Sequence, residues 1–216
     1  MKKLVLSFAL LAGTSVAANA QGITFGVKAG GTLSSITRKN DDTNKNKFGG
    51  HGGVFANFGI NDMFSVQPEL LYSMKGNKIE GSSTNNGVTT TVKGTQDLNY
   101  IDVPVMIKVS TGNNNSGLFF EAGPQVGFLI NAKVENERTV TSGGNTVSSK
   151  ASGDNKSAFN TVDFGYAAGL GYQAESGPLV GLRYNGGLTD LYKNNSGTAY
   201  HNDAFQLYVG FRLGGR

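Results

Sequence analysis

Cysteine is absent from the 216 residues of this chain, which excludes disulfide scaffolds, thiol nucleophiles and cysteine-ligated metal sites. Proline is scarce, at four residues, and the 32 glycines follow no three-residue period, so a collagen-like fibre is also excluded. Beyond the N-terminus, no segment reaches the roughly 18 consecutive apolar residues that a transmembrane helix requires. The sequence therefore excludes a membrane protein built from several helices.

The first 20 residues have the pattern of an export signal. Two lysines precede the apolar stretch 4–13, and the small residues of 18–20 (ANA) suit a signal peptidase. We expect cleavage before Gln21, so that residues 21–216 form one exported domain. Without the first two lysines, basic and acidic residues nearly balance, and no basic cluster remains that would favour nucleic acid as a partner.

From Ile23 onward, apolar and polar residues alternate with the period of two that is typical of strands. Most of the alternating segments are long enough to cross a bilayer, which takes about 9–11 residues of a tilted strand. The pattern predicts an all-β chain with eight strands, at Ile23–Gly30, Gly52–Ile60, Phe64–Lys75, Leu98–Val109, Gly117–Ile130, Val162–Ala174, Leu179–Leu188 and Ala204–Leu213.

The connections between these strands are alternately long and short. The short ones are 61–62, 110–116 and 175–177, and the long polar ones are 31–50, 76–96, 131–160 and 189–203. Outer-membrane barrels have short periplasmic turns and longer outer loops, so the alternation predicts four long surface loops. Such loops could bind an envelope or extracellular protein, although their polar composition also fits plain disordered linkers.

Each predicted strand has one apolar face and one face of glycine, glutamine and a few charges. In the third strand, for example, Leu70 and Tyr72 lie opposite Glu69 and Ser73. The period alone fits two orientations, a membrane barrel with its apolar face outside and a soluble ligand-binding calyx with its apolar face inside. A soluble exterior would carry many more charges. We therefore predict an eight-stranded antiparallel transmembrane β-barrel in contact with outer-membrane lipid, as a monomer.

The polar faces place a small set of charges of both signs in the predicted lumen. Buried charges must be paired, so these residues are expected to form a network that fills the barrel. The alternative is a selectivity ring in a narrow channel, but eight strands leave an interior only wide enough for side chains. The candidate residues are Lys28, Glu69, Lys108, Glu121, Asp163, Arg183 and Arg212.

Catalysis would need a nucleophile with a base, or an acid pair. The two histidines, His51 and His201, fall in or beside long polar runs, where Asp203, Ser34 or Ser35 could join them in a hydrolase or metal site. No motif spacing supports that arrangement. The sequence therefore predicts no catalytic residue, no cofactor and no metal, and the chain is not expected to be an enzyme.

Five strings of the sequence are distinctive in combination: GVKAG (26–30), QPELLYSMKG (67–76), YIDVPVMIK (100–108), EAGPQVGFLINAK (121–133) and GLRYNGGLTDL (181–191). Together they resemble the PorT-like outer-membrane β-barrel family. The resemblance implies an eight-stranded outer-membrane barrel, and some members of that family are linked to protein secretion. A structural or interaction role is expected, with a narrow channel or a soluble calyx as the alternatives.

Overall fold

A computed structural model describes residues 23–37, 44–195 and 197–213. The proposed signal segment, residues 1–20, lies outside the described residues. None of the described residues belongs to a helix that is long and apolar enough to cross a membrane. The strands are β1 (Ile23–Thr37), β2 (Asn44–Gly59), β3 (Phe64–Asn85), β4 (Val88–Ser110), β5 (Gly117–Ser142), β6 (Asn145–Asp154), β7 (Val162–Gln173), β8 (Pro178–Gly187) and β9 (His201–Leu213).

Eight of these strands close into a ring in which all neighbours are antiparallel. Its order is β1, β2, β3, β4, β5, β7, β8 and β9, and β9 pairs again with β1. Closure leaves the ring without an unpaired edge, as a barrel in lipid requires. The predicted eight-stranded barrel is confirmed. The remaining strand, β6, pairs with β5 alone and stands outside the ring.

The apolar face of each ring strand points outward. Phe120 on β5 is 62% exposed and Val209 on β9 is 63% exposed, whereas Arg183 on β8 is only 1% exposed. The predicted orientation of the faces is therefore confirmed. The alternative of a soluble calyx is wrong, because its ligand would need the apolar side chains inside the ring, where polar and charged groups lie instead.

The three short connections are tight turns at one end of the ring. The side-chain oxygen of Asn61 accepts hydrogen bonds from the N–H groups of Met63 and Phe64, at 2.9 and 2.8 Å. Asn115, in the turn between β4 and β5, donates through Nδ2 to the carbonyl of Asn61, at 2.9 Å. This hydrogen bond links two neighbouring turns and stabilises this end of the barrel.

Long loops are expected from the sequence at 31–50, 76–96, 131–160 and 189–203. This expectation is wrong for the first three segments, because β1 to β6 extend far into them. The turn between β3 and β4 is Asn86-Gly87, with φ of 47° and 75°, and that between β5 and β6 is Gly143-Gly144, with φ of 57° and 84°. Two positive φ values mark the type I′ turn that favours a hairpin. The β-branched threonines and valines beside these turns suit strands, a signal that the polar composition obscured.

These hairpins build a second structure above the ring, which we call the projecting sheet. It consists of residues 78–85 of β3, 88–96 of β4, 133–142 of β5 and all of β6, paired in continuous antiparallel register. Ten residues of strand rise about 30 Å, so the sheet stands well clear of the ring. The chain therefore forms a barrel and a polar sheet, and the strands of this sheet continue from one side of the barrel wall.

Gly76 lies where β3 passes from the ring into the projecting sheet, and its φ is 132°. A Cβ at this position would lie 1.9 Å from the carbonyl oxygen of Gln96. We expect Gly76→Ala to lower the free energy of unfolding by at least about 1–3 kcal/mol, because it adds backbone strain and a clash. Gly81→Ala is the matched control, since no atom lies within 4 Å of the Cβ it would add. Equal urea midpoints in detergent for the two variants would contradict this explanation.

Candidate functional site

A buried ionic network crosses the middle of the lumen. The guanidinium of Arg183 on β8 donates to both carboxylate oxygens of Glu69 on β3, at 2.8 and 2.9 Å. It also donates to Oε1 of Glu121 on β5, at 2.8 Å from Nε and 2.6 Å from Nη2. Because β8 and β3 are opposite each other in the ring, Arg183 spans the lumen. Paired contacts of this kind fix both distance and direction.

Two further side chains complete the network. Nζ of Lys28 lies 2.6 Å from Oε2 of Glu69 and 4.5 Å from the ring centre of Tyr208. The Tyr208 hydroxyl donates to Oε1 of Glu121 at 2.8 Å. Two carboxylates are thus matched by two cations and a hydroxyl, which offsets the cost of burying the charges.

The other three candidate residues form no ion pair with this network, although Lys108 is the cross-strand neighbour of Glu121. Lys108 places Nζ 3.8 Å from the ring centre of Phe119. Arg212 donates to the carbonyls of Asn114 and Asn115, at 2.9 and 3.2 Å, and so reaches across the turn end of the lumen. Asp163 is partly buried near the start of β7. Within the described parts of the chain, none of the three forms an ion pair.

The lumen contains a second buried ion pair, which lies outside the predicted set of residues. Nζ of Lys75 on β3 lies 2.9 Å from Oδ2 of Asp102 on β4, and 5.0 Å from the ring centre of Tyr100. Both charged residues occupy lumen-facing positions of predicted strands, so the period-two pattern could have identified them. The filled part of the lumen is therefore longer than the predicted network alone.

The histidines are not brought together. His51 is buried in β2, where Nδ1 lies 2.9 Å from Oγ1 of Thr32, rather than in an outer loop. His201 begins β9 and places Nδ1 3.3 Å from the carbonyl of Thr189. Their partners on β1 are Gly30 and Thr37, so roughly 23 Å of strand separates them. The described residues contain no cluster of three or more His, Asp or Glu that could hold a metal ion.

An apolar cluster, which we call the outer cap, closes the other end of the lumen. The loop before β7 and the loop after β8 meet there, since Asn160 N–H donates to Leu191 and Lys193 N–H donates to Ala158. The Tyr192 hydroxyl reaches Gln96 on β4 at 3.0 Å. The cap consists of Ile36, Leu98, Tyr100, Leu129, Ala132, Phe159 and Leu191.

Asp190 organises the loop that supplies half of the outer cap. Its carboxylate accepts hydrogen bonds from the N–H groups of Tyr192 and Tyr200, at 3.1 and 3.2 Å, and from Asn195 at 2.7 Å. Slight burial acts to raise the pKa of Asp190, but these hydrogen bonds outweigh it and hold the pKa below its ordinary value. The loop is therefore held in place by a carboxylate that stays charged.

The outward face of the projecting sheet has ordered polar rows. Register places Glu80, Lys93, Glu137 and Lys150 side by side across its four strands, so that charges alternate. Two rows of serine and threonine lie above them, with hydroxyl contacts such as that between Thr139 and Ser148 at 3.0 Å. A groove of about 430 Å³ lies over the charged row. This face belongs to a continuously paired sheet, it is polar, and its side chains are accessible.

The match to a family model agrees with a barrel fold. Residues 18–193 match the model of a family described as outer membrane protein beta-barrel domain. No protein of curated function matches the sequence. Among solved structures, the chain is similar to Ail, the attachment invasion locus protein of Yersinia pestis, with 13% identity, a TM-score of 0.45, and coverage of 89% of this chain and 99% of that chain. It is also similar to Neisserial surface protein A, with 14% identity, a TM-score of 0.43, and coverage of 89% and 99%.

Removal of the central guanidinium tests how much the buried network stabilises the barrel. We expect Arg183→Met to lower the free energy of unfolding by roughly 3–5 kcal/mol, because it leaves two buried carboxylates with one lysine. The control Glu135→Gln breaks an exposed pair with Lys133 and should cost less than about 1 kcal/mol. Denaturant titrations in the same detergent measure both changes. A loss in Arg183→Met no greater than in the control would contradict a stabilising network.

Proposed function

This chain belongs to the family of outer membrane protein beta-barrel domains, and on that premise we propose that it is a non-conducting surface binding protein. The barrel anchors the chain in the outer membrane, and the projecting sheet binds a protein of the envelope or of the extracellular space. The role is one of interaction and does not include catalysis.

The observation that carries this proposal is the filled lumen. Arg183 bridges opposite walls of the ring and is 1% exposed. Arg212 reaches across the turn end, and the outer cap lies at the other end. An ion would have to displace buried, paired charges and then an apolar cluster. This arrangement favours an anchor over a channel.

The projecting sheet supports the binding part of the proposal. Binding residues are found mainly on segments that a rigid scaffold presents to solvent, and geometry is held better on strands than on loops. Here the exposed polar rows lie on strands that continue directly from the barrel wall. The sheet therefore presents its polar rows to solvent on continuously paired strands, as a binding surface requires.

We assign the chain, as a finer hypothesis, to the PorT-like barrels within this family. The support is the set of five strings, which lie in β1, β3, β4, β5 and around β8. A link to protein secretion, which some of those barrels have, is implied by this hypothesis alone. No contact in the described residues favours secretion over binding.

Conductance separates an anchor from a channel. We expect the mature protein in a planar bilayer to give no discrete current steps, because the ionic network and the outer cap obstruct the lumen. Glu121→Gln should not create steps, since its amide still occupies the same space. Steps in the unaltered protein that Glu121→Gln changes, while the exterior control Glu135→Gln does not, would establish a channel and contradict the proposal.

Because the chain has no cysteine, single cysteines can report which side of the membrane each end occupies. Ser148 on β6 and Asn113 in a short turn are both exposed. On intact cells, a membrane-impermeant maleimide should label Ser148→Cys at once, and Asn113→Cys only after the outer membrane is permeabilised. The reverse order would put the projecting sheet in the periplasm and contradict surface binding.

A further inference from the structure

Strand β6 leaves one edge of the projecting sheet open. All ten of its residues are exposed, and in the described parts of the chain it pairs with β5 on one side only. Natural proteins usually protect such an edge with a proline, charged side chains, a bulge or a covering segment. The residues of β6 include no proline, their register with β5 is regular throughout, and their charges are limited to Lys150 and Asp154. The edge is therefore available to another strand.

Hairpin geometry shows which backbone groups face the open side. In a two-residue turn, the flanking pair Ser142 and Asn145 exchanges backbone hydrogen bonds, and along the strands bonded and non-bonded pairs then alternate. The hydroxyls of Thr141 and Thr146 lie 3.0 Å apart, as the closer side chains of a non-bonded pair should. Hence the N–H and C=O groups that point away from β5 belong to Thr146, Ser148, Lys150 and Ser152.

The side-chain rows of the projecting sheet indicate which side chains an added strand should have. The charged row of alternating Glu and Lys ends at the open edge on Lys150, so the next position in that row suits an acidic side chain. On the opposite face, Val140 and Val147 are neighbours, and Val147 is 71% exposed at the edge. The next position in this second row suits an apolar side chain.

We propose that β6 binds an extended segment of a partner protein, which adds to the projecting sheet as a further antiparallel strand. The inference rests on the proposed surface binding function and names its partner by chemistry. An acidic residue lies opposite Lys150, and an apolar residue three positions later lies opposite Val147. Every pair in the sheet is antiparallel, and main-chain pairing of this kind is a common form of peptide recognition.

The sheet already contains a strand with this pattern. In β5, Glu137 pairs with Lys150, and Val140, three residues later, pairs with Val147. A second copy of the chain is a poorer match. One of its open strands, residues 80–85 of β3, would place Glu80 opposite Lys150 but Ser83 opposite Val147. The other, its own β6, has Asp154 as its acidic residue, and Asp154 opposite Lys150 would place Ser157 opposite Val147. Charge and apolar contact together therefore favour a different protein.

A peptide that copies β5 tests the proposal on the full-length mature protein in detergent. The probe is fluorescent VENERTVTS, the sequence of residues 134–142, and binding is followed by anisotropy. We expect saturable binding that Ser148→Pro abolishes, because proline removes an outward N–H without breaking a bond to β5. Ser148→Ala is the matched control, since it keeps the N–H and should bind as the unaltered protein does.

A charge swap checks the register. Lys150→Glu should weaken binding at least roughly threefold, and a peptide with Glu137→Lys should restore it on that variant only. Unchanged heat-modifiable gel mobility shows that each variant still forms its barrel. Absence of peptide binding, or binding that Ser148→Pro leaves intact, would overturn the proposal.

Three outcomes distinguish this proposal from dimer formation and from failure of the surface binding function. A dimer of the unaltered protein that sediments as a monomer after Ser148→Pro would identify a second copy as the occupant and overturn the proposal. If Ser148→Cys is labelled on intact cells but no peptide binds, the strand proposal fails while the surface location stands. If that cysteine is not labelled, the surface binding function itself fails.

Discussion

Backbone pairing in lipid is the constraint on which the rest of this structure depends. Hydrocarbon offers no partner for an open N–H or C=O, so the strands must close into a ring. Closure of eight strands leaves a lumen only wide enough for side chains. The polar half of every strand is then enclosed, and its charges have to pair across that space. The contacts of Arg183 with Glu69 and Glu121 are the direct result.

Because the polar face is enclosed, a functional site is favoured outside the barrel interior. A lumen occupied by paired charges and closed by the outer cap has little room for a substrate or an ion path. The accessible polar surface is instead above the ring, where β3, β4 and β5 continue and β6 joins them. The same strands thus serve as membrane anchor and as scaffold for the projecting sheet, and this favours a binding protein over a channel.

Sequence alone predicts the ring well, because the period-two alternation at 64–75 or 204–213 depends only on which face meets lipid. It also places Glu69, Glu121 and Arg183 on the lumen side. It does not predict which of them meet, since this depends on strand register and on the order of strands around the ring. Lys75 and Asp102 also lie at lumen-facing positions of predicted strands, so the pattern could have identified both residues, and only their pairing depends on register. Strand β6 was missed because its polar, small residues resemble a loop and its pairing depends on the Gly143-Gly144 turn.

The most direct test of this account is a double-mutant cycle between Arg183 and Glu69, measured as unfolding free energies in one detergent. The variants are Arg183→Met, Glu69→Gln and the two combined. If the lumen is filled by charges paired across the ring, the double variant should be more stable than the sum of the single losses predicts, by about 1.5–3 kcal/mol. A coupling energy near zero would show that the two side chains do not interact in the membrane-embedded barrel, and it would contradict the filled lumen on which the proposed function rests.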